Sequence, residues 1–446
     1  MNGQDIDWIR AHAAKMDRNL RGAVVDSLRP APNIPCFLSR LLAPLRRRRR
    51  VPVIVQFESG GCNREEYETF NRRLVELRCG RTQDLPVVGG VATQVPLGSL
   101  KAVLEDSRVR RVVLDREVKA FMDVAAPTVN APDVWDDGLC GDGVGIAVID
   151  TGIHPHEDFT KPVNRIVGFR DFVGDRPNPY DDNGHGTHVA GIAAGNGARS
   201  GGRYRGIAPG ARLIGVKALN RAGSGSLSTI IRAVQWCIEQ KEKLGIRIIN
   251  LSLGAPAVES YEDDLLAQAV QTAWENRIVV CAAAGNEGPG PRTIATPGIH
   301  PKVITVGASD DNRTAARNDD VVALFSSRGP TIDDVAKPDV VAPGVEVTAP
   351  NVPRSLAAIQ QRRKRADYIA LSGTSMATPI CSGIVALMLE KERGLTPDEV
   401  KLRLVQSAET LGLDINTQGH GLVDARRAVD GETLAKGTAP DPADGD

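Results

Sequence analysis

Three short segments of the chain each place one chemically active side chain among small residues. A serine hydroxyl is a poor nucleophile at neutral pH unless a neighbouring base removes its proton, and a neutral imidazole suits that task. A carboxylate is then needed to hold the imidazole in one tautomer and to stabilise its cation. The segments that supply these three groups are VIDTG at 148–152, NGHGTH at 183–188 and GTSMATP at 373–379.

The catalytic residues that these segments predict are Asp150, His185 and Ser375. Asp150 ends an apolar run and precedes a glycine turn, whereas His185 and Ser375 each stand where a helix is predicted to begin. The free N–H groups of a helix start favour developing negative charge. Taken singly, an aspartate after a strand is usually a turn residue and a lone histidine is usually structural. The joint occurrence of all three, in the order Asp, His, Ser, predicts nucleophilic catalysis.

The elements that must position these residues follow from the apolar pattern beyond residue 143. Continuous apolar runs alternate there with longer amphipathic segments, such as those that begin near Leu227 and Leu266. This alternation predicts an α/β fold whose parallel sheet is covered on both faces, with functional residues at the carboxyl ends of its strands. The runs cover residues 144–149, 213–216, 246–251, 278–284 and 303–306.

The region before the predicted sheet has a different texture. Val53, Val55 and Phe57 alternate as in a half-buried strand, and the pattern up to residue 121 predicts a small β-α-β-β-α-β unit. The arginine run at 46–50 is typical of a solvated linker. The predicted divisions are an N-terminal extension with this basic linker at 1–50, an α+β domain at 51–122, a catalytic domain at 123–432 and a disordered tail at 433–446.

Composition narrows the class of protein. Of the 446 residues, Lys and Arg together number 55, and Asp and Glu together also number 55. The net charge is therefore zero and does not indicate nucleic acid or an anionic membrane as a partner. The seven cysteines show no metal or redox spacing. The first twenty residues hold no apolar stretch long enough for a secretory signal. These features predict a cytoplasmic protein, with export by an unconventional route left open.

The order Asp, His, Ser distinguishes between families that share this triad, because other triad folds use other orders. The three segments resemble the subtilase family, and the resemblance runs from about residue 141 to 430. The N-terminal half, with the stretch IPCFL at 34–38, resembles the AprX-type bacterial branch. The resemblance implies a subtilisin-like three-layer α/β sandwich, a propeptide-like domain before it, and a serine endopeptidase that forms an acyl-enzyme.

The resemblance also assigns roles around the triad. Asn286 corresponds to the residue that donates its side-chain N–H to the oxyanion, together with the backbone N–H of Ser375. Exposed backbone can hold an extended peptide as an added strand. The implied peptide-flanking residues are Gly223, Ser224, Gly225, Ser252, Leu253 and Gly254, and the implied lining of the S1 pocket is Ala283, Gly285 and Ala295.

The reaction implied by the resemblance requires no cofactor, but the family allows structural calcium. Asp158 matches a calcium-ligand position, whereas the loop at 196–206 lacks the oxygen ligands that a hard cation needs. A metal ligand at Asp158 is therefore an expectation that the sequence only partly supports.

The expected partners are a peptide or protein substrate and the chain's own N-terminal domain. The resemblance implies that residues 51–122 inhibit the cleft until Ser375 cuts the chain near 119–127, so that the protein is a self-processing zymogen. Three alternatives stay open at this point. The domain is an accessory unit that never contacts the cleft, the protein is a binding module held inactive by that domain, or the triad serves a non-proteolytic acyl hydrolase.

Overall fold

The computed structural model describes residues 8–16, 18–28, 49–58, 64–85, 90–114, 124–362 and 366–431. The chain divides into two compact units, Met1–Lys119 and Ala120–Asp446. The IPCFL stretch, most of the arginine run, the predicted boundary at residue 122 and the predicted disordered tail lie outside the described residues. The boundaries of the predicted domains therefore stay predictions.

The first unit has one antiparallel sheet of four strands in the order β2-β3-β1-β4. Alternate residues of β1 are buried, as the alternation of Val53, Val55 and Phe57 predicted. The ring of Phe57 packs edge-on against Phe70 of the following helix at 5.0 Å. The elements are α1 Arg18–Leu28, β1 Arg50–Phe57, α2 Arg64–Glu76, β2 Gln83–Leu85, β3 Gly90–Pro96, α3 Leu97–Leu104 and β4 Val109–Leu114.

The order β-α-β-β-α-β from β1 to β4 is the predicted one, although the strand limits differ. The apolar run at 87–95 predicts one strand, of which the structure has β3 from Gly90, and it has a further strand, β2, before that run at Gln83–Leu85. Residues 86–89 lie outside the described part of the chain. The last strand was predicted over 111–121, and β4 begins two residues earlier at Val109. Residues 115–121 of that prediction lie outside the described part of the chain.

The second unit is built on an eight-stranded sheet in the order β13-β12-β10-β8-β5-β7-β6, with β14 also paired to β12. All its pairings are parallel except that of β12 with β13. The strands are β5 Gly145–Asp150, β6 Ile166–Asp171, β7 Arg212–Lys217, β8 Ile246–Leu251, β9 Ala255–Pro256, β10 Val279–Ala283, β11 Ala295–Thr296, β12 Ile304–Asp310, β13 Val321–Val322, β14 Val340–Pro343, β15 Val347–Pro350 and β16 Tyr368–Leu371.

Helices cover this sheet in two sets. Helices α7 and α12 pack against each other and against the central strands, and α8 and α10 form a second pair. This mostly parallel sheet between helices confirms the predicted α/β architecture. The helices are α4 Ala125–Thr128, α5 Ala131–Asp136, α6 Glu157–Thr160, α7 His185–Ala194, α8 Leu227–Glu239, α9 Lys241–Leu244, α10 Leu265–Glu275, α11 Leu356–Gln360, α12 Thr374–Lys391, α13 Pro397–Ser407, α14 Ile415–Gln418 and α15 Ala425–Asp430.

The fold brings the predicted catalytic segments to the side of the sheet where the parallel strands have their carboxyl ends. Asp150 is the last residue of β5, His185 is the first residue of α7, and Ser375 lies in the first turn of α12. Helix α12 is buried on nearly all sides, so the position of its first turn is set by core packing. None of the helices that the structure describes is long and apolar enough to cross a membrane.

Candidate active site

The side chains of Asp150 and His185 form a hydrogen-bonded pair. Nδ1 of His185 lies 2.8 Å from Oδ1 and 3.0 Å from Oδ2 of Asp150, whose carboxylate is fully buried. The backbone N–H of Thr151 donates to the same Oδ1 at 2.7 Å. The carboxylate therefore holds the proton of His185 on Nδ1. This leaves Nε2 as the basic nitrogen of an imidazole that is 27% exposed.

A second carboxylate, Asp181, joins the turn after β5 to the start of α7. Its Oδ1 accepts from the hydroxyl of Thr151 at 2.9 Å and from the N–H groups of Asn183 and Gly184 at 3.0 and 2.8 Å. Its Oδ2 accepts from the N–H and the hydroxyl of Thr187 at 2.9 and 2.7 Å. Sequence reasoning missed Asp181. An acidic residue just before a helix start is a capping signal that could have found it.

These two carboxylates set the charge behaviour of the imidazole. Burial by itself favours the neutral ring, but the charge and the hydrogen bond of Asp150, with the charge of Asp181, outweigh it and raise the pKa of His185. The other histidine of the segment, His188, is fully buried and bonds through Nε2 to the carbonyl of Ile369. Burial lowers the pKa of His188 to about 3, so it stays neutral and packs in the core.

A buried lysine that the sequence reasoning also missed lies next to this pair. Lys217 ends β7 directly opposite Asp150 and is 1% exposed. Its Nζ donates to the carbonyls of Thr151 at 2.6 Å and Leu219 at 2.9 Å, and to Oδ1 of Asp182 at 2.8 Å. All three ammonium protons thus have acceptors. The lysine ties the ends of two neighbouring strands together beneath the turn that carries Asp150.

The hydroxyl of Ser375 donates to the carbonyl oxygen of Ser252, at 3.0 Å. In this structure it is therefore not hydrogen-bonded to the imidazole of His185. The side chain of Ser375 is only partly buried and faces a cleft of about 440 Å³. The site thus holds a nucleophile, a base and an orienting carboxylate at one edge of the sheet.

A buried hydrogen-bond chain fixes the backbone of the nucleophile. Pro379 has no N–H, so the carbonyl of Ser375 lacks the donor that a helix normally supplies four residues later. The hydroxyl of Ser252 supplies it at 2.9 Å. Ser252 in turn accepts from the amide of Asn250 at 2.9 Å, whose oxygen accepts from the hydroxyl of Ser382 at 2.9 Å. The end of β8 is thereby bound to the first turn of α12.

Asn286 is held so that its amide N–H groups remain available. Its Oδ1 accepts from the backbone N–H of Thr374 at 2.9 Å and from the hydroxyl of Thr374 at 3.1 Å. A backbone N–H can only donate, so the atom that faces Thr374 must be the oxygen. Asn286 and Ser375 line the same cleft. An N–H donor of Asn286 is therefore available to a negative oxygen formed near Ser375.

The predicted substrate residues line two adjoining clefts. The first cleft holds Ser375 and Asn286. Residue 285 of this cleft is a glycine with a φ of 108°, and a Cβ added there would lie only 2.8 Å from Oγ of Ser327, so a side chain would not fit. The second holds His185 and measures about 480 Å³. Ala283, Gly285 and Ala295 line the first cleft, Gly223, Ser224, Gly225 and Ser252 the second, and Leu253 and Gly254 both.

The surroundings of Asp158 fit an internal acceptor better than a metal ligand. Its carboxylate is fully buried and accepts from the N–H of Arg199 at 2.9 Å and from the hydroxyl of Tyr368 at 2.9 Å. In the described part of the chain, no group of three or more His, Cys, Asp or Glu side chains is assembled for a metal. The calcium site that the family implies does not fit these residues, and the prediction at Asp158 stays untested.

The role of Asp181 is tested by its effect on the imidazole. Asp181→Asn keeps the size of the side chain but removes a charge that raises the pKa of His185, so that pKa should fall. NMR titration of the imidazole signals in a Ser375→Ala background measures it. Asp175→Asn, which changes an exposed carboxylate on the surface, should leave the pKa where it is. An equal response in the two variants would contradict the assignment.

The role of Ser252 is tested together with Pro379. Ser252→Ala leaves the buried carbonyl of Ser375 without a donor and should lower the free energy of unfolding by about 1–3 kcal/mol. Pro379→Ala restores an N–H four residues after Ser375, so the same Ser252→Ala change should cost less in that background. Denaturant unfolding of the four proteins measures this coupling. Equal costs in both backgrounds would show that Ser252 does not replace the missing helical donor.

Known proteins are similar to this chain over two thirds or more of its length. The Subtilase family matches residues 141–423. The chain is 44% identical over 440 residues to the protein named serine protease AprX from Bacillus subtilis. The aligned residues cover 96% of this chain and 99% of that protein. It is 37% identical over 302 residues to Subtilisin Savinase from Lederbergia lenta, which covers 68% of this chain and 96% of the relative.

A third relative is the thermostable alkaline protease of Halalkalibacterium halodurans, 34% identical over 350 residues, which covers 78% of this chain and 84% of that protein. The family match covers more than half of the chain and contains the three segments around Asp150, His185 and Ser375. The predicted family and the predicted enzyme class are thereby confirmed. The chain belongs to the subtilase family of serine endopeptidases.

Proposed function

We propose that the chain hydrolyses peptide bonds through an acyl-enzyme, with Ser375 as nucleophile, His185 as general base and Asp150 as the carboxylate that orients the base. The observation that carries this proposal is the fully buried carboxylate of Asp150, 2.8 Å from Nδ1 of His185, at the sheet edge where Ser375 and Asn286 share a cleft. The proposed chemistry needs no cofactor.

The proposed reaction begins when the Ser375 hydroxyl turns from the carbonyl of Ser252 to Nε2 of His185. The oxygen attacks the substrate carbonyl carbon while its proton passes to Nε2. The amide of Asn286 and the N–H of Ser375 donate to the resulting oxyanion. The imidazolium then gives its proton to the leaving amine. Water, deprotonated by the same imidazole, then attacks the ester carbon, the bond to the Ser375 oxygen breaks, and the imidazolium returns the proton to that oxygen as the acid product leaves.

The proposed substrate is an extended peptide held by exposed backbone. The segments at 223–225 and around residue 254 are exposed and line the second cleft, where their N–H and C=O groups can pair with a peptide strand. Ala283, Gly285 and Ala295 line the cleft beside Ser375 and form the proposed S1 pocket. Because these backbone groups can form hydrogen bonds with an extended peptide, they favour a peptide over other acyl compounds as the substrate.

The oxyanion role is tested by Asn286→Leu. The change removes the side-chain donor, so kcat should fall by about 10²–10³ with little change in KM. Steady-state hydrolysis of a chromogenic peptide measures both constants. Thr374→Val is the matched control, because it removes one bond that orients the amide but keeps the donor itself. A kcat for Asn286→Leu that is equal to that of the control would place the oxyanion elsewhere.

We propose further that the N-terminal unit is an inhibitory propeptide and that the protein is a self-processing zymogen. The support is its β-α-β-β-α-β order with its own hydrophobic core, immediately before the catalytic unit in the chain. The window predicted for the cut, 119–127, lies mostly among residues outside the described part. A cytoplasmic location is likewise a proposal and rests on composition alone.

Processing is tested by the intact masses of the wild type and of Ser375→Ala. The wild type should mature to a form that begins near residues 119–127 and should cleave casein, whereas Ser375→Ala should stay full length and leave casein intact. The separate fragment 1–121 should inhibit the mature enzyme. Full activity of an uncut wild-type chain would show that the N-terminal unit is an accessory domain. An uncut, inactive wild type would favour the binding-module alternative.

A further inference from the structure

Two buried carboxylates face each other at one end of the large sheet. Strands β12 and β13 are antiparallel, with Asp310 opposite Val321 at the end of their pairing. Asp311 follows Asp310 in the chain, and Asp320 precedes Val321. The same register therefore places Asp311 opposite Asp320. Asp311 is 5% exposed and Asp320 is 8% exposed. Residues directly opposite in such a pair have Cβ atoms about 4.5–5.5 Å apart.

The carboxylate of Asp320 has an unsatisfied environment. Both of its oxygens are buried without a hydrogen-bond partner. A buried anion without a partner is costly, and a like charge opposite it adds to the cost. The protein groups that the structure describes therefore leave these oxygens without a donor.

The nearby arginines bind other groups. The guanidinium of Arg317 donates to the carboxylates of Glu409 and Asp424, each at 2.9 Å, and to the carbonyl of Thr128 at 2.6 Å. The guanidinium of Arg313 pairs with Glu346. The loop between the two strands adds the exposed carboxylate of Asp319. The charge of Arg317 acts on Asp320, but no guanidinium donates a hydrogen bond to the Asp320 oxygens.

We propose that Asp311 and Asp320 bind a divalent cation, with calcium as the best match. Calcium takes six to eight oxygen ligands in irregular geometry, and carboxylates, loop carbonyls and water satisfy it together. The residues from 312 to 319 are mostly exposed, so water can complete the shell. A cation placed between the two carboxylates would satisfy the free oxygens of Asp320 and remove the repulsion. Asp311 has one protein donor, the N–H of Arg313 at 3.0 Å from its Oδ1, whereas both oxygens of Asp158 have protein donors, so the two sites are distinct.

The bound cation would stabilise the start of the catalytic unit. The loop contacts Thr128 of α4 through two bonds, one from the Thr128 hydroxyl to the carbonyl of Thr314 and one from Arg317 to the Thr128 carbonyl. Residue 128 is close to the first described residue of this unit, at 124. Ordering the loop should therefore raise the thermal stability of the unit without a part in the chemistry.

The test uses the full chain with Ser375→Ala, stripped with EDTA, and adds calcium chloride. The melting temperature should rise by about 3–10 °C at 10 mM calcium, and calorimetry should show saturable binding. The same protein with Asp320→Asn should bind no calcium at this site and should not respond. Without metal, Asp320→Asn should melt no lower than its parent, because one of two facing buried charges is gone. The variant is thus expected to fold.

Asp158→Asn in the same background is the matched control and should keep the calcium response. A response that is lost in Asp158→Asn but kept in Asp320→Asn would place the cation at Asp158 and overturn the proposal. Absence of calcium binding by the parent would also overturn it. In that case the two aspartates share a proton instead, and Asp320→Asn would still melt no lower than its parent.

Discussion

The active site depends on the burial of one charged group, the carboxylate of Asp150. A buried carboxylate is stable only when donors surround it, and here Nδ1 of His185 and the N–H of Thr151 supply them. Lys217 and Asp181 then hold the strand ends and the helix start that carry these donors. The need to satisfy one buried anion thus sets both the tautomer and the orientation of the base.

The nucleophile depends on a second local constraint. Pro379 removes a helical donor from the first turn of α12, and the hydroxyl of Ser252 at the end of β8 replaces it. The carbonyl oxygen of Ser252 also accepts a hydrogen bond from the Ser375 hydroxyl. One serine therefore positions both the backbone and the side chain of the nucleophile. The proline in GTSMATP makes this possible, because it leaves a carbonyl that only a neighbouring element can satisfy.

Much of the fold and the centre of the site could be predicted from the sequence. The continuous apolar runs predicted the central strands, and the glycine-rich segments marked Asp150, His185 and Ser375, which the structure gathers at one sheet edge. Asp181 carries a helix-capping signal, but Lys217 and the facing pair Asp311 and Asp320 could not be predicted from the sequence. The role of Lys217 arises from contacts with Thr151 and Asp182, which are distant in the chain. The pairing of Asp311 with Asp320 depends on the register of β12 and β13, which the sequence pattern does not give.

The central claim is that Asp150 and His185 activate Ser375, and covalent labelling tests it most directly. Phenylmethylsulfonyl fluoride forms a bond from its sulfur to an activated serine oxygen and releases fluoride, so mass spectrometry of peptides locates the label. The account predicts that self-processed protein is labelled at Ser375 and that His185→Ala, matured by added wild-type enzyme, is labelled more slowly by several orders of magnitude. Labelling of Ser375 at an equal rate in His185→Ala, or labelling at another residue, would contradict it.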